Sequence, residues 1–430
     1  MDPVRGSGID ITREDIRRIV VEDRDIRGDT DMAIVNTVHA IIAAAIRHRA
    51  SDIHFEPMQD ELRVRIRIDG ALVPLVSLRK ETEQAVIARL KVMSKMKLDE
   101  SRLPQDGRIS LTYKDGPLSG VYNVRVNTVP MQLLDGPAEK VVLRILPATT
   151  NITIDHLGLS PSVRANLETI MSQPQGMFLL TGPTGSGKTT TLNAMLTKMN
   201  DLSRNIVTVE DPVEYHIPGI TQVQTHEAIG LTFASALRAF LRQDPDIIMV
   251  GEMRDRETAQ IAVRAALTGH LVLSTLHTND APTAIPRLID LGVEPYLLPS
   301  TIIGVMAQRL VRTLCPNCRE PYRTTLRELA VLGIQSDNMD QEITLYRPKG
   351  CSACLGTGLK GRHGLYELLM VDTDMRALLS RPQGATLDEI RTQAKKSGMR
   401  QLREEGIDLI LKGVTTVEQV QRVVYTTDVW

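Results

Sequence analysis

The sequence predicts an α/β fold whose largest part is an open sheet with a nucleotide at its edge. The residues GPTGSGKT at 182–189 fit the phosphate-loop pattern G-x-x-x-x-G-K-[ST] at every constrained position. The apolar run 177–180 before the loop suits a buried strand, and Leu192, Leu196 and Met199 after it fall at helical spacing. Strand, glycine-rich turn and helix are the context that this motif requires. We therefore expect the chain to bind a nucleoside triphosphate.

The loop itself indicates how phosphates are bound. Its glycines let backbone N–H groups close around a phosphate, and the positive end of the following helix attracts the same anion. We expect Lys188 to reach the β- and γ-phosphates and the Thr189 hydroxyl to bind Mg²⁺. The alternative, a chance glycine-rich turn, is disfavoured by the complete pattern and both flanks. The predicted nucleotide-binding residues of this segment are Gly182, Pro183, Thr184, Gly185, Ser186, Gly187, Lys188, Thr189 and Thr190.

The composition limits the classes of function. A chain of 430 residues is long enough for about two to four domains. Its 51 Lys and Arg residues against 52 Asp and Glu residues leave a formal net charge of −1, and aromatic residues make up 3%. Nucleic-acid binders usually carry a basic excess and stack bases on aromatic rings. We therefore expect no nucleic-acid partner.

The sequence predicts neither a membrane-spanning helix nor a secretory signal peptide. The longest apolar helical stretch, residues 32–46, is interrupted by polar residues and is too short and too polar to span a bilayer. The first 30 residues are rich in Arg, Asp and Glu, unlike a signal peptide. We expect a cytoplasmic protein without direct membrane insertion, whose membrane contact goes through partners.

The four cysteines form two CxxC pairs. Cys315 and Cys318 make the first pair, and Cys351 and Cys354 follow after 32 residues. Two such pairs are typical of a tetrahedral zinc site with four thiolate ligands. A disulfide pair is disfavoured by a reducing cytosol, and no redox fold context surrounds either pair. Because four thiolates leave no open coordination position, we expect a structural Zn²⁺, and His363 nearby is redundant as a ligand.

Hydrolysis also requires carboxylates near the phosphates. Two predicted strands, 206–209 and 247–250, are each followed closely by a glutamate, Glu210 and Glu252. Gly251 stands where the Walker B pattern usually has an aspartate. In an open α/β sheet, ligands lie beyond the carboxyl ends of the strands. We therefore predict that Glu210 and Glu252 are the catalytic carboxylates that position and polarise water.

Further polar residues follow the same predicted edge. Asp211 and Glu214 come soon after Glu210, and His277 follows a third predicted strand, 270–275. We expect the first two to support the magnesium shell and His277 to contact the γ-phosphate. The alternatives are a simple turn at Asp211, a solvated charge at Glu214 and a hydrogen-bonded structural histidine.

In the amino-terminal half, residues 62–68 alternate apolar residues with arginines. This period of two predicts a half-buried strand with three arginines on its open face. One interpretation is a solvated face. The other is a set of arginines that reach a phosphate held by a different domain or subunit. We predict Arg65 and Arg67 as catalytic arginines, with Arg108 and Arg125 next as nucleotide contacts.

Together these motifs resemble those of the secretion ATPases of type II secretion and type IV pilus assembly machines. The motifs are the phosphate loop, VEDPVEY (209–215), IIMVGEMRD (247–255), GHLVLSTLHTND (269–280), AQRLVRTLCPNC (307–318), GRHGLYELL (361–369) and ASDIHFEP (50–57). The resemblance runs from about Asp29 to the end of the chain. The tetracysteine module is similar to that of assembly and secretion motors, which retraction ATPases generally lack, and residues 300–322 look slightly more like the type II branch.

The resemblance implies a RecA-like P-loop ATPase core with a small PAS-like N-terminal α/β domain, a zinc-bound insertion and a helical C-terminal tail. The domain boundaries that we expect are a disordered leader (1–28), an N-terminal α/β domain supplying arginines (29–146), a linker (147–155), the ATPase domain (156–312), the zinc subdomain (313–358) and a helical C-terminal subdomain (359–430). Such proteins usually carry a further amino-terminal docking domain. Little precedes Asp29, so we expect a truncated chain or a short variant.

The resemblance also implies a function. It predicts a homo-hexamer that hydrolyses ATP to ADP and phosphate, with Mg²⁺ and structural Zn²⁺, and that drives pseudopilus or pilus assembly through inner-membrane platform and adaptor proteins. One alternative is a DNA-translocating motor of conjugation or DNA uptake, which predicts a basic channel. The other is a nucleotide-gated scaffold without turnover, although both Glu210 and Glu252 are present.

Overall fold

The structure is a computed structural model that describes residues 19–21, 32–147 and 153–424. The predicted leader apart from 19–21, residues 148–152 of the predicted linker and the terminal Trp430 lie outside these ranges. The described residues form two compact units. The first comprises the residues up to 147 together with Cys351–Gly356, and the second comprises the remainder.

The first unit is built on a seven-stranded antiparallel sheet in the order β1-β5-β6-β7-β2-β3-β4. Its elements are β1 (Ile19–Val21), α1 (Met32–Arg47), β2 (Asp52–Pro57), β3 (Glu61–Ile68), β4 (Ala71–Arg79), α2 (Glu83–Met93), β5 (Gln105–Tyr113), β6 (Gly120–Leu133) and β7 (Gly136–Pro147). Apolar residues of α1 and α2 share one core with one face of the sheet. The opposite face is left to polar side chains.

Strand β3 shows how the sequence produces this division. Leu62, Val64 and Ile66 are fully buried, whereas the alternating arginines are half-buried. Successive side chains of a strand point to opposite faces, so the alternation assigns one set to the core and the other to the polar face. The strand predicted over this segment is therefore confirmed.

The second unit contains another seven-stranded sheet, in the order β10-β9-β11-β12-β8-β13-β16. Its strands are β8 (Gly176–Thr181), β9 (Ile206–Glu210), β10 (Thr221–Gln224), β11 (Ile247–Val250), β12 (Leu271–Leu276), β13 (Ile302–Leu314) and β16 (Leu359–Met370). All neighbours are parallel except β16, which is antiparallel to β13. A parallel sheet is usually covered on both faces, and its strands are then apolar throughout.

Two apolar clusters cover the two faces of this sheet. Along β8, Met177 and Leu179 belong to one cluster, and Phe178 and Leu180 belong to the other. The helices between the strands are α3 (Pro161–Met171), α4 (Lys188–Met199), α5 (Phe233–Phe240), α6 (Arg256–Leu267), α7 (Ala284–Asp290) and α8 (Leu298–Thr301). The α/β class predicted from the sequence is thus confirmed.

The carboxyl-terminal part differs in one respect from the prediction. Residues 359–370, which the sequence analysis included in a helical subdomain, form the edge strand β16. They pair with β13, a partner about 50 residues earlier, and such long-range pairing leaves little local signal. A helical tail does follow, with α9 (Thr373–Leu379), α10 (Leu387–Lys396), α11 (Leu402–Leu411) and α12 (Val417–Gln421). A capping box between Thr386 and Glu389 begins α10.

Two short strands lie along the chain between β13 and β16. They are β14 (Arg319–Thr325) and β15 (Glu342–Pro348), which pair antiparallel in a separate two-stranded sheet. Each has a CxxC pair beside it, one before β14 and one after β15. Within the described ranges, no helix combines the length and the apolar character that crossing a membrane requires.

Candidate nucleotide-binding and hydrolysis site

The parallel strands of the second unit bring the predicted site residues to one edge. Strands β9, β11, β12 and β8 are neighbours in this order, and their registers align Val209 with Val250, Val250 with Ser274 and Ser274 with Leu179. The segments that leave these four strands therefore start side by side. They carry the phosphate loop, the two acidic segments and the His277 loop, as the strand pattern predicted.

The phosphate loop requires its glycines for two reasons. Gly182 and Gly187 have φ angles of 148° and 89°, in the region that L side chains rarely adopt. A Cβ would also lie 2.6 Å from the Gln308 backbone oxygen at Gly182 and 2.7 Å from the Gln308 side-chain nitrogen at Gly187. The loop thus packs directly against strand β13, whose backbone leaves no room for a side chain at Gly182, and the positive φ angle disfavours one at Gly187.

Lys188, the first residue of α4, is held within the loop. Its Nζ donates to the carbonyl oxygens of Gly182 at 2.6 Å and Pro183 at 3.2 Å. Burial lowers the pKa of Lys188 to about 8, an effect that Glu252 opposes and Arg309 reinforces. A phosphate anion at this position would favour the protonated form.

The loop also contains an unpaired buried hydroxyl. The Ser186 Oγ is buried and has no hydrogen-bond partner among the described residues. A buried polar group without a partner is costly, and a bound phosphate would supply the acceptor. The observed loop therefore fits the group that its sequence pattern predicts. Thr189 and Thr190 follow Lys188 in the first turn of α4, and Thr184 is exposed.

Glu252 lies just beyond the end of β11 and contacts two side chains. Its Oε1 is 2.5 Å from Nη2 of Arg254, and its Oε2 is 3.5 Å from Nε2 of His277. At Gly251, where the Walker B pattern usually has an aspartate, a Cβ would lie 3.2 Å from the Val209 oxygen, a tight contact. The carboxylate available at this strand end is therefore that of Glu252, with the exposed His277 beside it.

Glu210 ends β9 in a more buried environment. Its Oε1 accepts hydrogen bonds from Thr208 Oγ1 at 2.7 Å and from Gln222 Nε2 at 3.1 Å. Burial raises the pKa of Glu210, and the charge of Glu214 raises it further, against these hydrogen bonds. Asp211, the next residue, is exposed, whereas Glu214 is half-buried. The structure thus places all three acids along one segment, with Glu210 the most protected.

Gln308 and Arg309 on β13 belong to the site although the sequence analysis did not identify them. Gln308 accepts a hydrogen bond from Thr191 of α4 at 2.9 Å. Arg309 is 6% exposed, donates to the Asn279 carbonyl at 2.7 Å, and lies 2.9 Å from where a Gly182 Cβ would be. The available signal was a pair of adjacent polar residues inside the otherwise apolar run AQRLV.

The predicted arginines lie on the polar face of the first unit's sheet. Arg65 donates to the Glu56 carboxylate from Nε at 2.7 Å and from Nη2 at 2.8 Å. Arg67 donates to the Gly70 carbonyl at 2.8 Å. Arg108 and Arg125 stand opposite each other on β5 and β6. The structure therefore groups these four residues on one sheet, and they belong to a different unit from the phosphate loop.

The four cysteines converge although their pairs are distant in sequence. Their sulfur atoms all lie within 4.8 Å of one another, and the Cys351 and Cys354 sulfurs are 3.7 Å apart. Zinc–sulfur bonds of about 2.3 Å in a tetrahedron imply sulfur separations of about 3.8 Å. The donor set and its spacing therefore fit the predicted Zn²⁺.

Comparisons with known proteins identify the family to which the chain belongs. The family model described as "Type II/IV secretion system protein" matches residues 28–422. The chain is 48% identical over 406 residues to the type II secretion system protein E of Pseudomonas aeruginosa, covering 94% of this chain and 78% of that protein. It is 47% identical over 384 residues to the type IV pilus assembly ATPase PilB of Thermus thermophilus, covering 89% and 42%.

A solved structure supports the same fold. The crystal structure of the pilus retraction motor PilT with bound ADP aligns with a TM-score of 0.59 and 28% identity, covering 90% of this chain and 96% of that one. A phosphate loop and strand-end carboxylates on a parallel sheet define a P-loop ATPase. The chain belongs to the type II/IV secretion system protein family, as its motifs predicted, and it is an ATPase motor of secretion or pilus assembly. Because the chain is an ATPase, it is not the nucleotide-gated scaffold without turnover that the sequence analysis left as an alternative.

Proposed function

We propose that this protein is a homo-hexameric motor that hydrolyses MgATP and drives the assembly of a pseudopilus or pilus through inner-membrane platform and adaptor proteins. The observation that carries the proposal is the convergence of Lys188, Glu252 and His277 at one edge of the parallel sheet. Relatives named for type II secretion and for type IV pilus assembly are almost equally similar, at 48% and 47% identity. The proposal therefore covers both kinds of filament.

The phosphate loop would hold the nucleotide. In this proposal Lys188 exchanges its two backbone carbonyls for the β- and γ-phosphates, and Ser186 gains an acceptor. The Thr189 hydroxyl would hold Mg²⁺, with Asp211 and Glu214 supporting its water shell. The ion would supply charge neutralisation in the transition state. ATP, Mg²⁺ and Zn²⁺ are the cofactors of this proposal.

Glu252 would orient the attacking water and accept its proton. The carboxylate is held by Arg254 on one oxygen and faces His277 with the other. His277 is exposed enough to contact a γ-phosphate directly. Glu210 would support this water from the neighbouring strand, because burial raises its pKa and so makes its carboxylate a better proton acceptor.

Arginines of the first unit would complete the transition-state charge stabilisation. Arg65 and Arg67, with Arg108 and Arg125 next, would add guanidinium charge to the ammonium charge of Lys188 in the phosphate loop. An arginine in this role is worth about 10³–10⁵ in rate in other phosphoryl-transfer enzymes. Movement of one unit relative to the other during turnover would deliver work to the platform protein.

The Glu252→Gln variant tests the catalytic assignment. We expect phosphate release to fall by about 10²-fold or more, because the amide cannot accept a proton, while binding of a fluorescent ATP analogue changes by less than about 3-fold. Glu257→Gln, an exposed glutamate nearby that pairs with Arg238, is the matched control and should turn over normally. Unchanged turnover by the Glu252→Gln variant would refute the role assigned to this carboxylate.

The zinc assignment predicts stoichiometric metal. We expect one Zn²⁺ per chain by elemental analysis, lost in Cys315→Ser together with a lower unfolding temperature, because structural zinc binding contributes directly to folding. Ser352→Ala, next to Cys351 but without a thiol, is the control. Full stability of metal-free protein would contradict a structural role.

Oligomeric state and partner class need a separate measurement. We expect native mass spectrometry with a non-hydrolysable ATP analogue to show a hexamer, and a detergent-solubilised platform protein to raise ATP turnover. DNA is the contrasting addition. A monomer whose turnover is stimulated by DNA would instead support a DNA-translocating motor.

A further inference from the structure

A buried glutamate outside the predicted site connects the His277 loop to the carboxyl-terminal helices. Glu367 lies on β16 and is 4% exposed. Its Oε1 accepts the Ala281 backbone N–H at 2.8 Å, and its Oε2 accepts the Leu402 backbone N–H at 3.3 Å. One carboxylate thus bridges the loop 277–283 and the first turn of α11.

The Glu367 carboxylate lies at the N-terminal end of α11, where a helix has backbone N–H groups to donate. Leu402 is the first residue of the helix, where N–H groups have no partner within the helix and the dipole end is positive. Ala281 is fully buried, so its N–H also needs a partner. Burial raises the pKa of Glu367 to about 7, because it disfavours the charged form of this carboxyl group. Retaining a costly acid in this position indicates a specific role.

Consecutive residues of the loop are each fixed by a different element. The Thr278 N–H donates to Thr181 Oγ1 at 2.7 Å, directly at the end of β8. The Asn279 carbonyl accepts from Arg309 at 2.7 Å. The Asp280 carboxylate accepts from Arg391 of α10 at 2.8 Å. Ala281 is fixed by Glu367, so the loop has anchors on both the phosphate-loop side and the C-terminal side.

These anchors leave His277 as the residue that faces the reaction. It precedes the four anchored residues and lies 3.5 Å from Glu252. A shift of the loop would therefore change the distance between His277 and Glu252. In enzymes, a displacement of about 1 Å at a reacting group can reduce the rate by about 10²-fold.

We propose that Glu367 is a positioning residue for ATP hydrolysis, which fixes the 277–283 loop, and with it His277, to the N-terminal end of α11. It acts through His277 and does not contact the nucleotide. The inference rests on the role proposed above for His277. It also implies that a displacement of α11, such as one imposed by a partner, reaches the site through this carboxylate.

The test is a double-mutant cycle with Glu367→Gln and His277→Ala. The amide keeps the shape of the side chain but turns one acceptor into a donor that opposes a backbone N–H. We expect kcat of the Glu367→Gln variant to fall by about 10- to 100-fold, with KM for ATP within about 2-fold of wild type. The double variant should be no slower than His277→Ala alone, because both changes act on one step.

The control is Glu405→Gln, a second buried acid, which lies on α11 itself and whose pKa is also raised by burial. It should lower kcat by less than about 2-fold, since Glu405 has no contact with the loop among its described partners. Glu367→Asp, which withdraws the carboxylate by one methylene, should give an intermediate kcat.

The outcomes separate this inference from the proposed function. Unchanged kcat in His277→Ala would overturn the role of His277 itself. A normal kcat in Glu367→Gln, or additive effects in the double variant, would overturn only the positioning role. Failure of both Glu367 variants to fold would make Glu367 a purely structural residue and would also overturn the inference.

Discussion

The two units of this chain each contain a seven-stranded sheet, but they distribute their polar residues differently. In the first unit the sheet is antiparallel, and its charged side chains, the arginines of β3 among them, lie on the face opposite the core. In the second unit the main strands are parallel and buried on both faces, so polar groups concentrate at the edge where the strands end. Strand direction therefore decides whether the chemistry lies on a face or at an edge.

Two buried glutamates show the same contrast. Glu56 in the first unit accepts from Arg65 and Lys140, and although burial alone would raise its pKa, these partners lower it to about 2. Glu367 in the second unit accepts two backbone N–H groups, and burial raises its pKa to about 7. The polar face of the first unit provides Glu56 with cationic side chains, whereas the second unit provides Glu367 with backbone N–H dipoles.

The largest effect is expected from a change at the edge. Lys188→Ala should lower ATP turnover by at least about 10³-fold, because the proposed function assigns this ammonium to the β- and γ-phosphates. Lys198→Ala, at the exposed end of the same helix, should change turnover by less than about 2-fold. Steady-state phosphate release measures both. Comparable rates for the two variants would remove the phosphate loop from the mechanism.

Local patterns explain why the phosphate loop, the strand-end acids and the zinc ligands could be predicted. The phosphate loop spans eight residues, and Glu210 and Glu252 follow their strands at once. Short stretches of sequence carry all of this information. The convergence of these residues at one edge follows from the general geometry of parallel sheets.

Long-range contacts explain what could not be predicted. Arg309 reaches Asn279 across 30 residues, and Glu367 reaches Ala281 across 86 residues. The local sequence shows each side chain only as a polar residue within an apolar strand and does not indicate the contact that it makes. The pairing of Arg65 with Glu56 likewise depends on the β2–β3 register, which aligns His54 with Arg65.

The two glutamates predict stability changes of opposite sign with pH. The folded-state pKa of Glu367 lies above the ordinary value of 4.5, so its stabilising contribution is full below pH 4.5 and is lost as pH rises through about 7. The folded-state pKa of Glu56 lies below 4.5, so its contribution is full above pH 4.5 and is lost as pH falls towards 2. Each contribution amounts to at most about 3 kcal/mol.

Urea unfolding measured between pH 3 and pH 8 would test this pair. Glu367→Gln should flatten the decline of unfolding free energy between about pH 5 and pH 8, and Glu56→Gln should flatten its decline below about pH 4. Salt should reduce the second effect more, because the partners of Glu56 are partly exposed. If the unfolding free energies of the two variants depended on pH in the same way, the contrast drawn between Glu56 and Glu367 would be wrong.

The smallest effect is expected from single arginines on the face. Arg65→Ala and Arg67→Ala should each lower kcat by about 10-fold, less than an isolated arginine finger, because neighbouring basic residues on the same face share the charge. ATP binding should be unchanged, since the phosphate loop belongs to the other unit. Arg65→Ala should additionally raise the pKa of Glu56, because it removes the two hydrogen bonds from the guanidinium. Arg79→Ala on β4 is the matched control, and its turnover should stay above that of the Arg65→Ala and Arg67→Ala variants. If all three variants lost the same activity, the polar face of the sheet would contribute only through its overall charge.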